Sequence, residues 1–335
     1  MRRASVSRTP LRHAACLILG LASALTVHAQ ALPKAGDFPS QPLHMVSPFP
    51  PGGGNDFHMR LVSNELAAVT GQPAVAENKG GAGGNIGARY VADGKADGYT
   101  VLTSQVSIMA VNPTLYRTAG FDPVKSFVPI TQINAAPLAI VVAANSPLKT
   151  MADLRAQAQA QPGRMTYATP GNGTLSHLVG VVLEKDGGID LTHVPYRGAG
   201  PALADLIGGQ VGLMITSTSS VAGHIQQGMV RALAVTSPRR VGVFKSVPML
   251  EELGLKNMVY EDWYGFFAPA GTPPERVAYL NRAITKVLKS PAVEKKILDA
   301  GGELVAGTSE ALAAQLKQDI ERWSRVVKLS GAVID

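Results

Sequence analysis

Two glycine-rich corners carry the residue types in this chain best suited to chemistry. The first, Ser47-Pro48-Phe49-Pro50-Pro51-Gly52-Gly53-Gly54-Asn55-Asp56, follows a short apolar run and leads straight into an amphipathic stretch. The second, Thr169-Pro170-Gly171-Asn172-Gly173-Thr174, has the same setting and is followed by His177. Glycines at a strand-to-helix junction let successive backbone amides turn outward, and the helix dipole places partial positive charge at the same point, so each corner suits an anion such as a carboxylate. Taken alone, either run reads equally as a tight corner; as a pair they predict two amide cradles facing each other across a cleft. Gly80-Gly81-Ala82-Gly83-Gly84-Asn85, ahead of Arg89 and Tyr90, is either a further cleft wall or a surface corner. Tyr196-Arg197-Gly198-Ala199-Gly200-Pro201 also joins a strand to a helix and is expected on the cleft rim. His177 is either a partner within its own helix cap or a donor to the ligand.

Other chemistries find no support in the pattern. No Gly-x-x-x-x-Gly-Lys-Ser/Thr is present, so the glycine loops do not form a P-loop. Gly81-x-Gly83 and Gly171-x-Gly173 meet Ile86 and Ser176 where a dinucleotide fingerprint requires its third glycine. No serine occupies a Gly-x-Ser-x-Gly elbow. His44, His58, His177, His193 and His224 contain no His-x-x-x-His pair, so neither a metal nor any other cofactor is expected. A binding protein is therefore the leading class, and an enzyme using the same cleft is the alternative.

The elements that must position these corners alternate along the chain. Short apolar runs predict strands at Leu43–Ser47, Ala74–Glu77, Thr100–Thr103, Ala139–Ala143, Met165–Ala168, Leu191–Val194, Val211–Ile215 and Ala232–Val235, with amphipathic helices between them. This order is the signature of a parallel α/β sheet, whose ligands bind beyond the carboxyl ends of the strands. The last third reads as three helices. Thr272-Pro273-Pro274-Glu275 predicts a capped start for the first, Thr150 with Asp153 is a weaker cap farther upstream, and Leu312, Leu316, Ile320, Trp323 and Val327 form one apolar stripe. An ending without strands must pack on a sheet formed earlier. The expected organisation is thus a discontinuous first lobe, residues 38–137 and 260–335, with residues 138–259 inserted as the second and the chain crossing near Ala136–Ile140 and Tyr260–Phe267.

Composition bounds the setting. Arg2, Arg3, Arg8 and Arg12 precede an apolar run from Ala14 to Val27 that ends in Val27-His28-Ala29, the layout of a secretory signal peptide spanning residues 1–29. Removing it takes away Cys16, the single cysteine, and four of 31 Lys/Arg, leaving 27 basic against 24 acidic side chains. The remaining chain is nearly neutral, which argues against nucleic acid as a partner. It has no further run of eighteen apolar residues and is long enough for two domains stabilised by burial alone. An exported monomer is the expectation.

Taken in order, Pro48 to Asp56 with Arg60, Glu77-Asn78-Lys79-Gly80-Gly81-Ala82-Gly83-Gly84, Asp97-Gly98-Tyr99-Thr100, Asn112-Pro113-Thr114-Leu115-Tyr116, Pro162 to Ala168, Gly171-Asn172-Gly173-Thr174 with His177, Val194-Pro195-Tyr196-Arg197-Gly198, Leu233 to Ser237 and Trp263-Tyr264-Gly265 resemble the Bug family. These are the substrate-binding receptors of tripartite tricarboxylate transporters, and the resemblance covers residues 38–335. It implies a periplasmic, two-lobed Venus flytrap fold, each lobe a sheet flanked by helices. The implied partners are a small carboxylate and either a membrane permease or a sensor. Carried over position by position, Phe49, Gly53, Gly54, Asn55 and Asp56 with Ser104, Gln105 and Ser107 would hold one end of the ligand. Gly171, Asn172, Gly173, Thr174, His177, Tyr196, Thr216 and Ser217 would hold the other.

The segment Thr216 to Ser220 departs from many relatives, which have an acidic residue where Thr216 stands. A wall of hydroxyls with no carboxylate favours a plain carboxylate, such as a dicarboxylate or an aromatic acid, over an amino acid, because a desolvated ammonium needs a charged partner. Asp56 is the one acid that could serve instead, and capping its helix is its expected role.

Overall fold

The computed structural model describes residues 32–240, 242–255, 258–330 and 334; the predicted signal segment and its cleavage point lie outside them. Ten strands are present: β1 (Leu43–Ser47), β2 (Ala74–Asn78), β3 (Thr100–Gln105), β4 (Phe127–Ala143), β5 (Thr166–Thr169), β6 (Thr192–Pro195), β7 (Leu213–Ser217), β8 (Val230–Val235), β9 (Glu261–Pro269) and β10 (Glu303–Leu304). The helices are α1 (Gly54–Thr70), α2 (Asn85–Ala92), α3 (Asn112–Leu115), α4 (Met151–Ala160), α5 (Leu175–Gly187), α6 (Ala199–Ile207), α7 (Thr218–Gln226), α8 (Pro274–Leu288), α9 (Pro291–Asp299) and α10 (Ser309–Ser330).

The strands form two sheets that share β4. In the first, the order is β2-β1-β3-β9-β4, with β10 also on β4. In the second, β4 pairs with β7 and β8, and β7 continues to β5 and β6. Pairing with β9 covers Phe127 to Pro137, and pairing with β7 begins at Leu138, so the chain leaves one sheet and enters the other between these two residues. The predicted parallel order holds for β1 with β2 and β3, and for β5 with β6 and β7. It fails for β4 and β9, which run antiparallel to their neighbours because they carry the chain between the sheets.

Only the last five residues of β4, Ala139–Ala143, are predicted as strand from the sequence. Pro129 and Pro137, with Thr131, Gln132 and Asn134, interrupt the apolar run, and two register shifts accommodate the interruption. The last third also differs from expectation by containing β10, which pairs Glu303 and Leu304 with Ala135 and Asn134. Thr272 does not cap α8. Its hydroxyl donates to the Pro269 carbonyl at 2.8 Å, and Pro273 stands at the cap position. Thr150 forms the full reciprocal box instead: its Oγ1 accepts the Asp153 amide and the Asp153 carboxylate accepts the Thr150 amide.

The core divides around these sheets. α1 and α8 bury Met59, Val62, Leu66, Leu280 and Ile284 against Met45, Val101 and Phe266. The α10 stripe buries Leu312, Leu316, Trp323 and Val327, with Ile320 partly buried, in a cluster that also holds Trp263 and Phe267. Trp323 is a core residue, as its spacing predicts.

Thr236 ties the two crossings together. The Leu138 amide donates to Thr236 Oγ1 at 2.9 Å, and the Thr236 amide returns to the Leu138 carbonyl at 2.9 Å. The Tyr260 amide donates to the Thr236 carbonyl at 3.2 Å, and Thr236 Oγ1 donates to the Tyr260 carbonyl. Replacing Thr236 by Val keeps the shape and strands a buried amide and a carbonyl, so it should cost about 1–3 kcal/mol of stability. Thr236→Ser should recover most of it. Urea unfolding of the two variants checks this, and equal losses in both would contradict the hydrogen-bonding role.

Candidate functional site

Four helix starts converge where the two sheets meet. Gly54 and Asn55 open α1, Ser176 lies in the first turn of α5, Ala199 opens α6, and Ser217 and Ser220 flank the start of α7. Together with Phe49, Gln105, Pro170, Thr216, Asp262 and Tyr264 they enclose a narrow pocket of about 20 Å³. Each start contributes partial positive charge from unpaired amides. Among the described residues, no Lys or Arg side chain lines the pocket. The polar groups are hydroxyls, amides and one carboxyl group, so the site can hold an anion through dipoles and neutral donors alone.

Several of these polar atoms have no partner within the protein. Asn55 Oδ1, Thr216 Oγ1, Ser217 Oγ and Asp262 Oδ1 are buried and unbonded, while Asn55 Nδ2 donates to Gln105 Oε1. Buried polar atoms left unpaired are costly, and at a ligand cleft they mark where binding supplies the missing bonds. Among the contacts between the two sides, the Gly54 amide donates to Ser220 Oγ at 2.9 Å.

The titratable residues around the pocket are held neutral. Burial raises the Asp262 carboxyl to about 8, opposed by the Val106 and Trp263 amides and reinforced by the Asp319 carboxylate. Burial also drives Tyr264 well above its usual range. His58 lies under Tyr264 with ring centroids 4.3 Å apart, and burial lowers it to about 3. Its Nδ1 is 2.7 Å from the Gly54 carbonyl, which can only accept, so the proton of the neutral ring sits on Nδ1.

The residues predicted for the site distribute unevenly. Phe49, Gly53, Gly54, Asn55, Gln105, Thr216 and Ser217 line the pocket. Asp56 does not: its carboxylate accepts the Gly52 amide at 3.0 Å, Arg60 Nε at 2.9 Å and Asn78 Nδ2 at 2.9 Å, and it faces a wider outer groove between α1, α7 and α9. It braces the first corner, as a residue of the first helical turn is placed to do. Ser104 is fully buried with its Oγ unpaired but is not among the lining residues, and Ser107 Oγ accepts the Leu175 amide at 3.0 Å.

The second glycine corner sits beside the pocket instead of across it. Gly171, Asn172 and Tyr196 line a neighbouring depression with Gly81 to Gly84. The Tyr196 hydroxyl donates to Asp205 at 2.7 Å. Gly173 has φ +74°, and a Cβ there would come within 1.7 Å of the Leu115 side chain, so this corner packs against α3. Thr174 caps α5 through the His177 amide, and His177 Nδ1 accepts the Gly173 amide at 3.2 Å while its ring stacks on His193 at 4.1 Å. Burial lowers His177 and, with His177 as neighbour, lowers His193 to about 4. Pro170, Ala199 and Ser220 belong to segments expected at the cleft without being singled out, and Ser176, Asp262 and Tyr264 were not anticipated. For the last two the signal was present in the extended segment Glu261 to Pro269: alternate residues of a strand share a face, and Asp262 and Tyr264 share theirs.

Two α/β lobes joined by antiparallel crossings, with an anion-suited pocket at the helix starts between them, define a two-lobed solute-binding protein of the Venus flytrap type. Residues 58–332 match the tripartite tricarboxylate transporter family receptor. The protein BugT of Bordetella pertussis is 36% identical over 304 residues, which cover 90% of this chain and 93% of BugT. Among solved structures, the periplasmic binding protein BugD aligns with a TM-score of 0.84 at 34% identity, covering 88% of this chain and 99% of that one. A Rhodopseudomonas palustris protein with adipate aligns with a TM-score of 0.84 at 33% identity, covering 89% and 99%. The chain belongs to the tripartite tricarboxylate transporter receptor, or Bug, family.

One close backbone contact between the halves is at Gly200. A Cβ at this position would lie 2.2 Å from the Pro51 carbonyl oxygen and 3.7 Å from Gly52 Cα. Gly200 is in the first turn of α6, where alanine is the better helix former. Gly200→Ala should therefore leave the melting temperature equal or higher while weakening ligand binding about ten- to a hundredfold, the equivalent of about 1–3 kcal/mol of overpacking at the closed contact. Calorimetric titration beside thermal melting checks this; unchanged affinity would show that the Pro51–Gly200 contact plays no part in binding.

Proposed function

We propose that this protein is a periplasmic receptor that captures a small carboxylate, a dicarboxylate or an aromatic acid, between lobes formed by residues 38–137 with 260–335 and by residues 138–259. The observation that carries this reading is a pocket between the sheets built from four helix starts and neutral donors, with no basic side chain on its wall. The adipate bound by the R. palustris relative has the matching chemistry. The captured solute passes to a tripartite transporter permease or signals to a sensor, in keeping with the family match. Among the described residues, no helix is long and apolar enough to cross a membrane. The apolar segment ending at Ala29 directs export and is removed.

Ligand preference follows from the wall. Thr216, Ser217 and Ser220 offer hydroxyls, which can donate to a carboxylate and cannot neutralise an ammonium group. Asp56 is engaged by Gly52, Arg60 and Asn78 and faces away from the pocket, so it does not serve as an ammonium partner. Titration with adipate, succinate, an aromatic dicarboxylate, aspartate and glutamate should show binding by plain acids and none by the amino acids. A binding acid at about 100 times its Kd should stabilise the fold by about 2.7 kcal/mol. Binding of aspartate or glutamate with the plain acids silent would reject the assignment. Protein recovered from the periplasm should begin at Gln30, which N-terminal sequencing reads directly; an intact Met1 would refute export.

A further inference from the structure

Among the described residues, Asp262 is the only acid lining the pocket, and none of the expected site residues accounts for it. It is on β9 at the crossing between lobes, paired with Ala136 of β4, and 3% of its surface is exposed. It shares a strand face with Tyr264, whose hydroxyl would be 2.2 Å from a Cβ on Gly54 at the start of α1. Its Oδ1 has no partner. A fully buried carboxyl oxygen without a bond is an expensive feature unless something completes it.

The groups facing it offer no cation within the pocket. β3 and β4 bring only uncharged side chains. On β9 the neighbours are Glu261 and Tyr264, and His58 on α1 lies behind Tyr264 with its proton committed to Gly54. On α10, the Asp319 carboxylate takes Trp263 Nε1 at 2.7 Å and Gln315 Nε2 at 2.9 Å, and Arg322 lines an outer depression that Asp262 also borders, together with Glu261 and Asp319. An ionised Asp262 would therefore be a buried charge repelled by the Asp319 carboxylate, and burial favours the neutral acid.

We propose that Asp262 is a specificity-determining residue of the cleft: in its proton-bearing form it donates a hydrogen bond to a carboxylate oxygen of a bound dicarboxylate. This rests on the carboxylate-receptor reading and names the ligand class and its pH response. The helix starts hold one carboxylate of the ligand through amides and hydroxyls. A second carboxylate in a pocket without a cation adds a desolvation cost, and a neutral carboxylic acid is the donor that relieves it without introducing charge. No bond is made or broken; the proton stays between the two carboxyl groups. Removing that proton turns the contact into repulsion between two carboxylates. Adipate binding is thus expected to be level below pH 7 and to weaken above pH 8, where Asp262 ionises.

Adipate titrations from pH 6 to 9, in two buffers of different ionisation enthalpy, test this on the mature protein and on Asp262→Asn. In the wild type, affinity should fall about tenfold per pH unit above 8, with about one proton taken up per adipate bound at pH 9. Asp262→Asn keeps a donor and loses the titration, so its affinity should stay level across the range. Thermal melting of both proteins at each pH confirms that they are folded. A wild-type affinity independent of pH, or an identical fall in Asp262→Asn, overturns the role of Asp262 and leaves the receptor reading standing. Silence toward adipate at every pH in both proteins, with aspartate bound and a proton released, overturns both and makes Asp262 the partner of an ammonium group.

Discussion

The whole arrangement depends on β4 having partners on both sides along two different sheets. Its first eleven residues pair with β9 and its last six with β7 and β8, and the change of partners at Pro137 and Leu138 is what makes two lobes out of one chain. A proline has no amide to give to a ladder, so a strand interior is a poor place for one. At this junction the ladder is changing sheets, and Thr236 supplies the bonding that the strand itself lacks, through the Leu138 amide and the Tyr260 carbonyl. Because β9 returns beside β4, any movement of the lobes must bend both strands together.

The crossing also decides what the pocket is made of. Strands that end at a common seam deliver their following helices to that seam, so α1, α5, α6 and α7 all begin there. Partial charges from several helix starts come without a counter-ion and without a flexible side chain, so they need little reorganisation to receive an anion. A lysine or arginine in the same place would attract an anion more strongly and would have to be ordered and desolvated for it. The structure relies on fixed amides, Ser and Thr hydroxyls, and Asn55 and Gln105 locked to each other. Glycines at the seam serve approach more than rotation: Gly200 has no room for a Cβ beside Pro51, and Gly54 none beside Tyr264.

Much of this was legible in the residues. The strands leading into both glycine corners and the helices after them follow from periodicity and turn chemistry, and residues of the first corner line the pocket. What stayed hidden were long-range properties. Pro129, Pro137 and the polar residues between them conceal the first part of β4, because local pattern cannot show that partners on each side will hold a broken run in a sheet. The second corner looked equivalent to the first, yet Leu115 and Ser107 cover it and shift the second lobe's contribution toward Ser176 and the start of α7. Asp262 was obscured by the aromatic residues around it, and only the pairing of β9 shows which face they leave to the pocket.

Asp262 and His58 illustrate how the seam is tuned, since burial pushes both toward the neutral form by opposite proton balances. A buried acid held neutral contributes its full stability below its unfolded pKa, and that contribution is lost as pH rises through the range from about 3.8 to about 8. A buried imidazole held neutral contributes above its unfolded pKa of 6.5, and the contribution is lost as pH falls toward about 3. The two slopes oppose each other in mildly acidic solution, and near neutrality only the acid still changes. Stability therefore gives no reason for an acid at position 262, where a residue without charge would fold at least as well at neutral pH. A buried group that costs stability is retained where it serves another role, and Asp262, with an unpaired oxygen, lines the pocket together with Gly54 and Asn55 at the start of α1.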